Sequence, residues 1–403
     1  MKEWKEVKLG DFIEVKHGFA FSGNNITTEQ TQNILVTPGN FQIGGGFKSS
    51  KFKYYNDEVP ENYILQENDI IVTMTDLSKE SDTLGYSAKV PKSEKSKKYL
   101  HNQRIGLVQF KNSEMNQDFI YWLMRTRSYQ GYIVASASGT SIMHTSPSRI
   151  EDYVFLAPPL PEQKAIAEVL SSLDDKIDLL HRQNRTLEEM AETLFRQWFI
   201  EERDEGWEEV SLGDSSLCKI IGSGINVFEG EKIYLATADI QENEIVNRNT
   251  IIQYNKKPSR ANMQPVLNSV WFAKKGGVRK VIMFDRNTLD DIESLILSTG
   301  FSGLKTTEKS HYYIWCFIYS REFQELKDNL LSGSVQPDIN NDGIRNIVIA
   351  RPSDKTLVEF NEVVYPLFRK ISKNNKNVGI LMNIRDTLLP KLMSGEVRLN
   401  YGK

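Results

Sequence analysis

Apolar positions fall into two long, regular stripes. Over 162–199, Ile166, Leu170, Leu173, Ile177, Leu180, Asn184, Leu187, Ala191, Leu194 and Trp198 recur at alternating spacings of four and three. Phe360, Val364, Leu367, Ile371, Asn374, Val378, Leu381, Arg385, Leu388 and Leu392 repeat that spacing 194 residues later. An unbroken pattern of this length predicts two long helices packed as a coiled coil. An antiparallel register with a residue sum of 558 sets Asn184 opposite Asn374 and, around them, Leu173, Ile177, Leu180 and Leu187 against Ile371, Val378, Leu381 and Leu388. Pro366 cannot donate to its turn and predicts a kink or an early break. Elsewhere the pattern is shorter. NDIIVTMT (68–75) and NSVWFAKK (268–275) read as strands entered from polar turns, 117–129 as a short helix, and the apolar run YYIWCFIY (312–319) as a buried strand.

The chain also begins twice. WKEVKLGD (4–11) returns as WEEVSLGD (207–214), and SGTSIMHTSPSRIEDYVFLAPP (138–159) is echoed by SGSVQPDINNDGIRNIVIARPS (332–353). The offset falls from 203 to 194 between these echoes, so the first copy carries nine more residues, most simply in loops. Solenoids repeat about every 20–50 residues, so this is a domain duplication. The expected order is a mixed α+β domain over 1–157, a helical spacer over 158–203, a second domain over 204–352 and a second spacer over 353–403. Equivalent halves joined by antiparallel helices imply a pseudo-twofold axis across the helix pair, with a head at each end.

Charge separates the two spacers. Residues 151–205 carry a net −8 and residues 353–403 a net +4, which favours pairing the helices with each other over self-association. The heads are near neutral but uneven, with basic clusters at KSEKSKK (92–98), 256–260 and KKGGVRK (274–280). Lys and Arg among Gly, Ser and aromatics suit phosphate contacts, and solvated loops have the same composition.

The chain has 403 residues, 39% hydrophobic and 26% charged, enough for two or three cored domains. A charged, polar start without a secretory apolar stretch, and two cysteines, Cys218 and Cys316, predict a soluble cytoplasmic protein without a disulfide framework. Catalytic signatures are missing: there is no GxxxxGK[ST] or GxGxxG phosphate loop, no amino-methyltransferase NPP[FY] tetrapeptide, and the five histidines lack metal-ligand spacing. The pattern is that of a binder.

PPLPEQKAIAEVLSSLDDKI (158–177), IRDTLLPKLMSGEV (384–397) and the repeated openings Val7–Asp11 and Val210–Asp214 resemble the specificity subunits of type I restriction–modification systems along the whole chain. That resemblance implies two target-recognition domains, each reading half of an asymmetric, split DNA sequence. The helices then set the spacing and dock two modification subunits, joined by two restriction subunits. It also implies no cofactor on this chain, with S-adenosylmethionine, ATP and Mg2+ used by the partners. Two other readings stay open from the residues alone: a self-contained methyltransferase or nuclease, and a coiled-coil scaffold that binds no DNA.

Candidate DNA contacts lie on loops that a shared fold turns one way. In the first head these are Lys16, His17, Phe21, Ser22, Thr75, Asp76, Lys79, Arg104, Thr140, Ser141 and His144. In the second they are Ser223, Lys274, Lys275, Arg279, Lys280, Lys305, Ser334 and Asn340.

Overall fold

In the computed structural model both stripes are helical, as Leu160–Arg196 and Asp354–Met393. The structure describes residues 3–76, 78, 82–93, 96–139, 142–332 and 338–399. The chain forms two compact units, Met1–Asp178 with Gly379–Lys403, and Leu179–Val378, so each unit takes part of both long helices. The division read from the sequence had set the helices apart as spacers; here they complete the cores of the heads.

The second helix runs through Pro366 without a break. Pro366 and Glu362, whose carbonyl loses its donor, face solvent, so water can satisfy that carbonyl, while Val364 and Phe368 stay buried on the other side. The predicted strand at 312–319 is a helix, His311–Tyr319, buried from His311 to Ile318. An apolar run this short carries no period when every face is covered, so pattern alone cannot separate strand from helix. The segment 117–129 is two helices, Gln117–Leu123 and Arg127–Ser136. Thr126 divides them: its hydroxyl accepts from Tyr129 N at 3.2 Å and caps the second.

Both heads share one topology. The first has a four-stranded sheet in the order Ile13–His17, Ile105–Phe110, Ile70–Thr73, Ser87–Lys89; the second repeats it as Cys218–Ile221, Phe301–Thr306, Ser269–Ala273, Val281–Phe284. Each also has a second sheet around one parallel pair, Asn33–Val36 with Lys98–His101 and Lys232–Leu235 with Leu295–Ser298. Asn68 and Asn268 both take positive φ, 68° and 51°, just before the equivalent strands. Asn tolerates this conformation better than other non-glycine residues. The repeated start motif forms Lys5–Lys8 and Glu208–Ser211, each antiparallel to the strand that precedes a long helix.

Helix pairing is antiparallel within each unit. In the first, Ile166, Ala167 and Leu170 share a core with Leu389, Leu392 and Met393. In the second, Ala191 and Phe195 share one with Phe360, Val364, Phe368 and Ile371. Full burial of such side chains contributes about 2 kcal/mol each. Asn374 Nδ2 donates to Asn184 Oδ1 at 2.8 Å, and Asn184 Nδ2 donates to Asn375 Oδ1 at 2.6 Å. A buried amide chain of this kind makes neighbouring registers costly, because a slip leaves polar groups unpaired. Leu180 and Val378 are buried beside it, and Ile177 is buried in the first unit, with Leu173, Leu187, Leu381 and Leu388 partly covered.

Ion pairs close the first unit. Asp174 accepts from Arg125 Nη1 at 2.6 Å with one oxygen and from Arg385 Nη1 at 2.7 Å with the other. One carboxylate thus joins the head to both helices. The Arg125 guanidinium also lies 4.3 Å from the Trp122 ring and donates to Gly44 O. At the other end of this helix segment the buried Glu162 takes Trp4 Nε1 at 3.2 Å and Arg398 Nη2 at 2.7 Å, tying both chain ends to one side chain.

Removing a buried ion-pair partner costs about 3–5 kcal/mol, because the remaining charge is left uncompensated. Asp174→Ala is therefore expected to destabilise the first unit by about that amount in urea unfolding. A second variant that also replaces Arg125 and Arg385 by leucine should recover part of it. Equal stability of Asp174→Ala and the parent would remove the junction described here.

Candidate nucleic-acid interface

The site is built from main-chain bonds. His17 faces Gly106 and Thr73 faces Ile105, so three strand ends of the first head's four-stranded sheet meet at one edge. The loops beyond them are laced together: Phe19 N to His101 O at 2.8 Å, Gln103 N to Phe19 O at 2.9 Å, Met74 N to Arg104 O at 2.9 Å and Thr145 N to Met74 O at 3.0 Å. Gly18 permits the lacing, since a Cβ there would stand 2.1 Å from Asn102 O. The second head repeats the two bonds made through Met74, with other side chains. Lys274 N donates to Gly300 O at 2.9 Å, Ile339 N donates to Lys274 O at 3.0 Å, and Lys275 bridges Asp338.

This edge gathers several of the candidates. His17, Ser22, Arg104 and His144 are exposed there, and Lys16 is half-buried, its Nζ donating to Asn62 O at 3.1 Å and lying 4.9 Å from the Tyr63 ring. Thr75 is buried, with its hydroxyl 3.1 Å from His144 Nδ1, so it orients that ring. Asp76 is also buried: its carboxylate accepts from Ser78 N, Thr83 N and the Thr83 hydroxyl, each at 2.7 Å. Burial would raise its pKa, but these hydrogen bonds outweigh burial and hold it below the ordinary value. Asp76 is thereby a loop organiser and offers no free oxygen to a base. Lys79, Thr140 and Ser141 lie outside the described residues.

Phe21 belongs to the core, 7% exposed and edge-on to Tyr55 at 4.9 Å. The aromatic at the edge is Phe19, 37% exposed and in contact with Phe21 and Tyr63. Sequence reading missed it because Phe21 N bonds Phe19 O, a tight turn that breaks strand alternation and puts two aromatics two residues apart in different environments.

In the second head the basic turn 274–280 lies on the edge, yet its cations differ. Lys275 is exposed, as is Ser223. Lys274 is half-buried, and burial pushes its ammonium below the ordinary range, partly offset by Asp338. Arg279, partly exposed, lies with its guanidinium 3.8 Å from the Tyr319 ring and 3.9 Å from Glu192. Lys280 Nζ donates to Thr237 O at 2.5 Å. Lys305 is at the opposite end of its strand, donating to Leu267 O, because Phe301 begins that strand at the edge and four residues carry it across the sheet. Asn340 caps the helix Asn341–Arg345 through Gly343 N at 2.8 Å. Ser334 lies outside the described residues. Among the candidates, then, Phe21, Asp76, Arg279, Lys305 and Asn340 have side chains committed to the fold. Spacing could not show this: Phe21, Arg279 and Lys305 are committed to residues distant in sequence, Asn340 to a cap visible only once the helix start is known, and Asp76 to a local turn, through Ser78 and Thr83, that leaves no periodic signal.

The sequence profile of the family described as "Type I restriction modification DNA specificity domain" matches residues 1–189. The MjaIX specificity subunit of a type I restriction enzyme from Methanocaldococcus jannaschii is 29% identical over 322 residues, 70% of this chain and 69% of the relative. The MjaVIII specificity subunit from the same organism is 20% identical over 430 residues, 99% of this chain and 94% of the relative. Among solved structures, the type I restriction–modification S subunit from M. genitalium superposes with a TM-score of 0.55 at 18% identity, covering 97% of this chain and 96% of that one. At that identity the likeness speaks to the fold. No helix among the described residues is long and apolar enough to cross a membrane.

Asp76→Ala is expected to cost about 2–3 kcal/mol, the scale of hydrogen bonds to a charged acceptor. Because the folded pKa is depressed, the stabilisation is complete above the unfolded value of about 3.9 and is lost as pH falls through the lower folded value. The stability difference between parent and variant, measured by urea unfolding, should be flat above about pH 5 and shrink below about pH 4. A difference that grew on acidification would reverse the assignment.

Proposed function

We propose that this chain is a DNA specificity subunit of a type I restriction–modification system, as its similarity to that family over residues 1–189 and to the MjaIX subunit supports, that each loop edge reads one half of a split DNA target and that the long helices hold the two halves at a set distance. The chain is the recognition subunit and not itself the catalyst. The observation that carries this reading is the repetition of two main-chain bonds, Met74 N to Arg104 O with Thr145 N to Met74 O, as Lys274 N to Gly300 O with Ile339 N to Lys274 O, on two heads whose edge side chains differ: Arg104, His17 and His144 on one, Lys275 and Ser223 on the other. A shared backbone frame with different side chains is what two different half-sites require, since bases are told apart by side-chain donors and acceptors in the grooves.

In this reading two modification subunits dock on the helices and bring S-adenosylmethionine chemistry, and two restriction subunits add ATP- and Mg2+-dependent translocation and cleavage. Joining two weak half-site readers raises their combined affinity through effective concentration, provided the link is stiff enough to define the gap.

The exposed Lys275 is expected to contact phosphate. Lys275→Ala should weaken binding to all sequences and lower the slope of log K against log salt by roughly one. Arg279→Ala should leave that slope unchanged while lowering thermal stability by about 1 kcal/mol, through loss of the Tyr319 contact. A changed base preference for Lys275→Ala at constant slope would make it a base reader instead.

The spacing role is tested by inserting four residues after Leu180 and four before Val378, positions opposed in the 558 register. Each helix lengthens by about 6 Å, close to two base pairs at roughly 3.4 Å each. A four-residue insertion keeps the apolar seam nearly in phase. Methylation mapping in a host that carries the chain with its modification partner should return the same half-sites with a wider gap. An active variant with the original gap would end the proposal.

A further inference from the structure

We propose, on the basis of the DNA reading above, that Lys327 and its neighbour Asp328 are positioning residues for the basic turn 274–280, holding it so that Lys275 is presented to a DNA phosphate. Lys327 lies on the helix Arg321–Ser332 and is 1% exposed. Its Nζ nonetheless reaches two main-chain acceptors, Val278 O at 2.8 Å and Ala273 O at 3.4 Å. Ala273 ends the strand that enters the turn, and Val278 precedes the strand Val281–Phe284 that leaves it. One buried ammonium therefore ties both ends of the turn to a single point on the helix.

Asp328 fixes the middle. Its Oδ1 accepts from Gly277 N at 2.8 Å, and Gly277 takes a φ of 65°. Gly276 lies against the same helix, since a Cβ there would stand 3.0 Å from Leu331 Cδ1. The exposed Lys275 is carried between these anchored points.

A lysine is almost never fully buried without partners, because desolvation penalises its charged form. Burial draws the Lys327 ammonium down to about 8, with Asp328 offsetting part of the effect, so it stays mostly protonated near pH 7. The duplication shows that the core does not need a lysine at this place. Thr126 and Ser320, 194 residues apart, cap equivalent helices by accepting from Tyr129 N and Phe323 N. In that alignment Lys327 falls on Ile133, fully buried against Gly85. The first head's loop organises itself from within, through the Asp76 carboxylate that takes Ser78 N and Thr83 N. The turn KKGGVRK contains no acidic residue, and its polar anchors come from the helix instead.

The test compares Lys327→Met and Asp328→Ala with the parent as full chains. Hydrogen exchange should be about tenfold faster within 274–280 in both variants, the scale of losing one or two hydrogen bonds, while the rest of the second unit keeps the parent's rates. With the modification partner and a duplex carrying the mapped target, Lys327→Met should lower the slope of log K against log salt by roughly one. Adding Lys275→Ala to Lys327→Met should then change the slope no further. A role confined to stability would instead raise exchange throughout the second unit and leave the slope at the parent's value. Unchanged exchange in the turn would overturn the assignment, as would a parental slope in Lys327→Met while Lys275→Ala lowers it. A slope that Lys275→Ala itself leaves unchanged would end the phosphate reading of this turn, and with it any part of Lys327 in binding. Asp328→Ala, at a partly exposed position, decides through the exchange measurement if Lys327→Met does not fold.

Discussion

Each head depends on apolar side chains that it does not itself own. Phe119, Trp122 and Ile150 in the first unit share a core with Ile166 and Leu170 from one long helix and Leu389 and Leu392 from the other. Tyr313, Phe317 and Phe323 in the second share theirs with Phe195, Phe360 and Val364. A sheet covered on that face only by short helices would leave part of its apolar surface wet, so helix pairing and head folding are one event within each unit.

The duplicated halves meet this constraint with different chemistry. In the first unit Asp174 balances Arg125 and Arg385. The position 194 residues after Asp174 is Phe368, which stacks on Tyr312 at 4.9 Å and meets Trp315 edge-on. The position equivalent to Arg125 is Tyr319, stacked on Trp315 at 5.6 Å. An ion triad and an aromatic stack fill the same junction. The triad is strong only while complete, whereas the stack tolerates change by degrees. The geometry that must be conserved between halves is thus the packing of helix on head, and the chemistry of the contact is free to drift.

The loop edge follows a similar division of labour. Its frame is made of main-chain donors and acceptors, which any side chain except a misplaced proline leaves intact. Under the proposed function, substitution at Arg104, His144 or Lys275 alters what the edge recognises without altering where it stands. Buried Thr75 and Asp76 in the first head, and Arg279 in the second through its contacts with Tyr319 and Glu192, hold the loops.

Sequence alone determined the two helices, their register and the duplication, because these rest on periods and echoes repeated over tens of residues. A helix stripe is legible when one face is apolar and the other is not, and Asn184 and Asn374 stand out only because they interrupt such a stripe. The helix His311–Tyr319 was not legible, since a segment covered on all sides has no polar face to set the period. Phe19 and Phe21, or Lys275 and Arg279, were equally indistinct: near neighbours of one chemical type were sorted by a tight turn and by Tyr319, forty residues away. Which basic or aromatic side chain meets solvent at the edge was decided by tertiary structure, because that choice depends on partners brought together only by the fold.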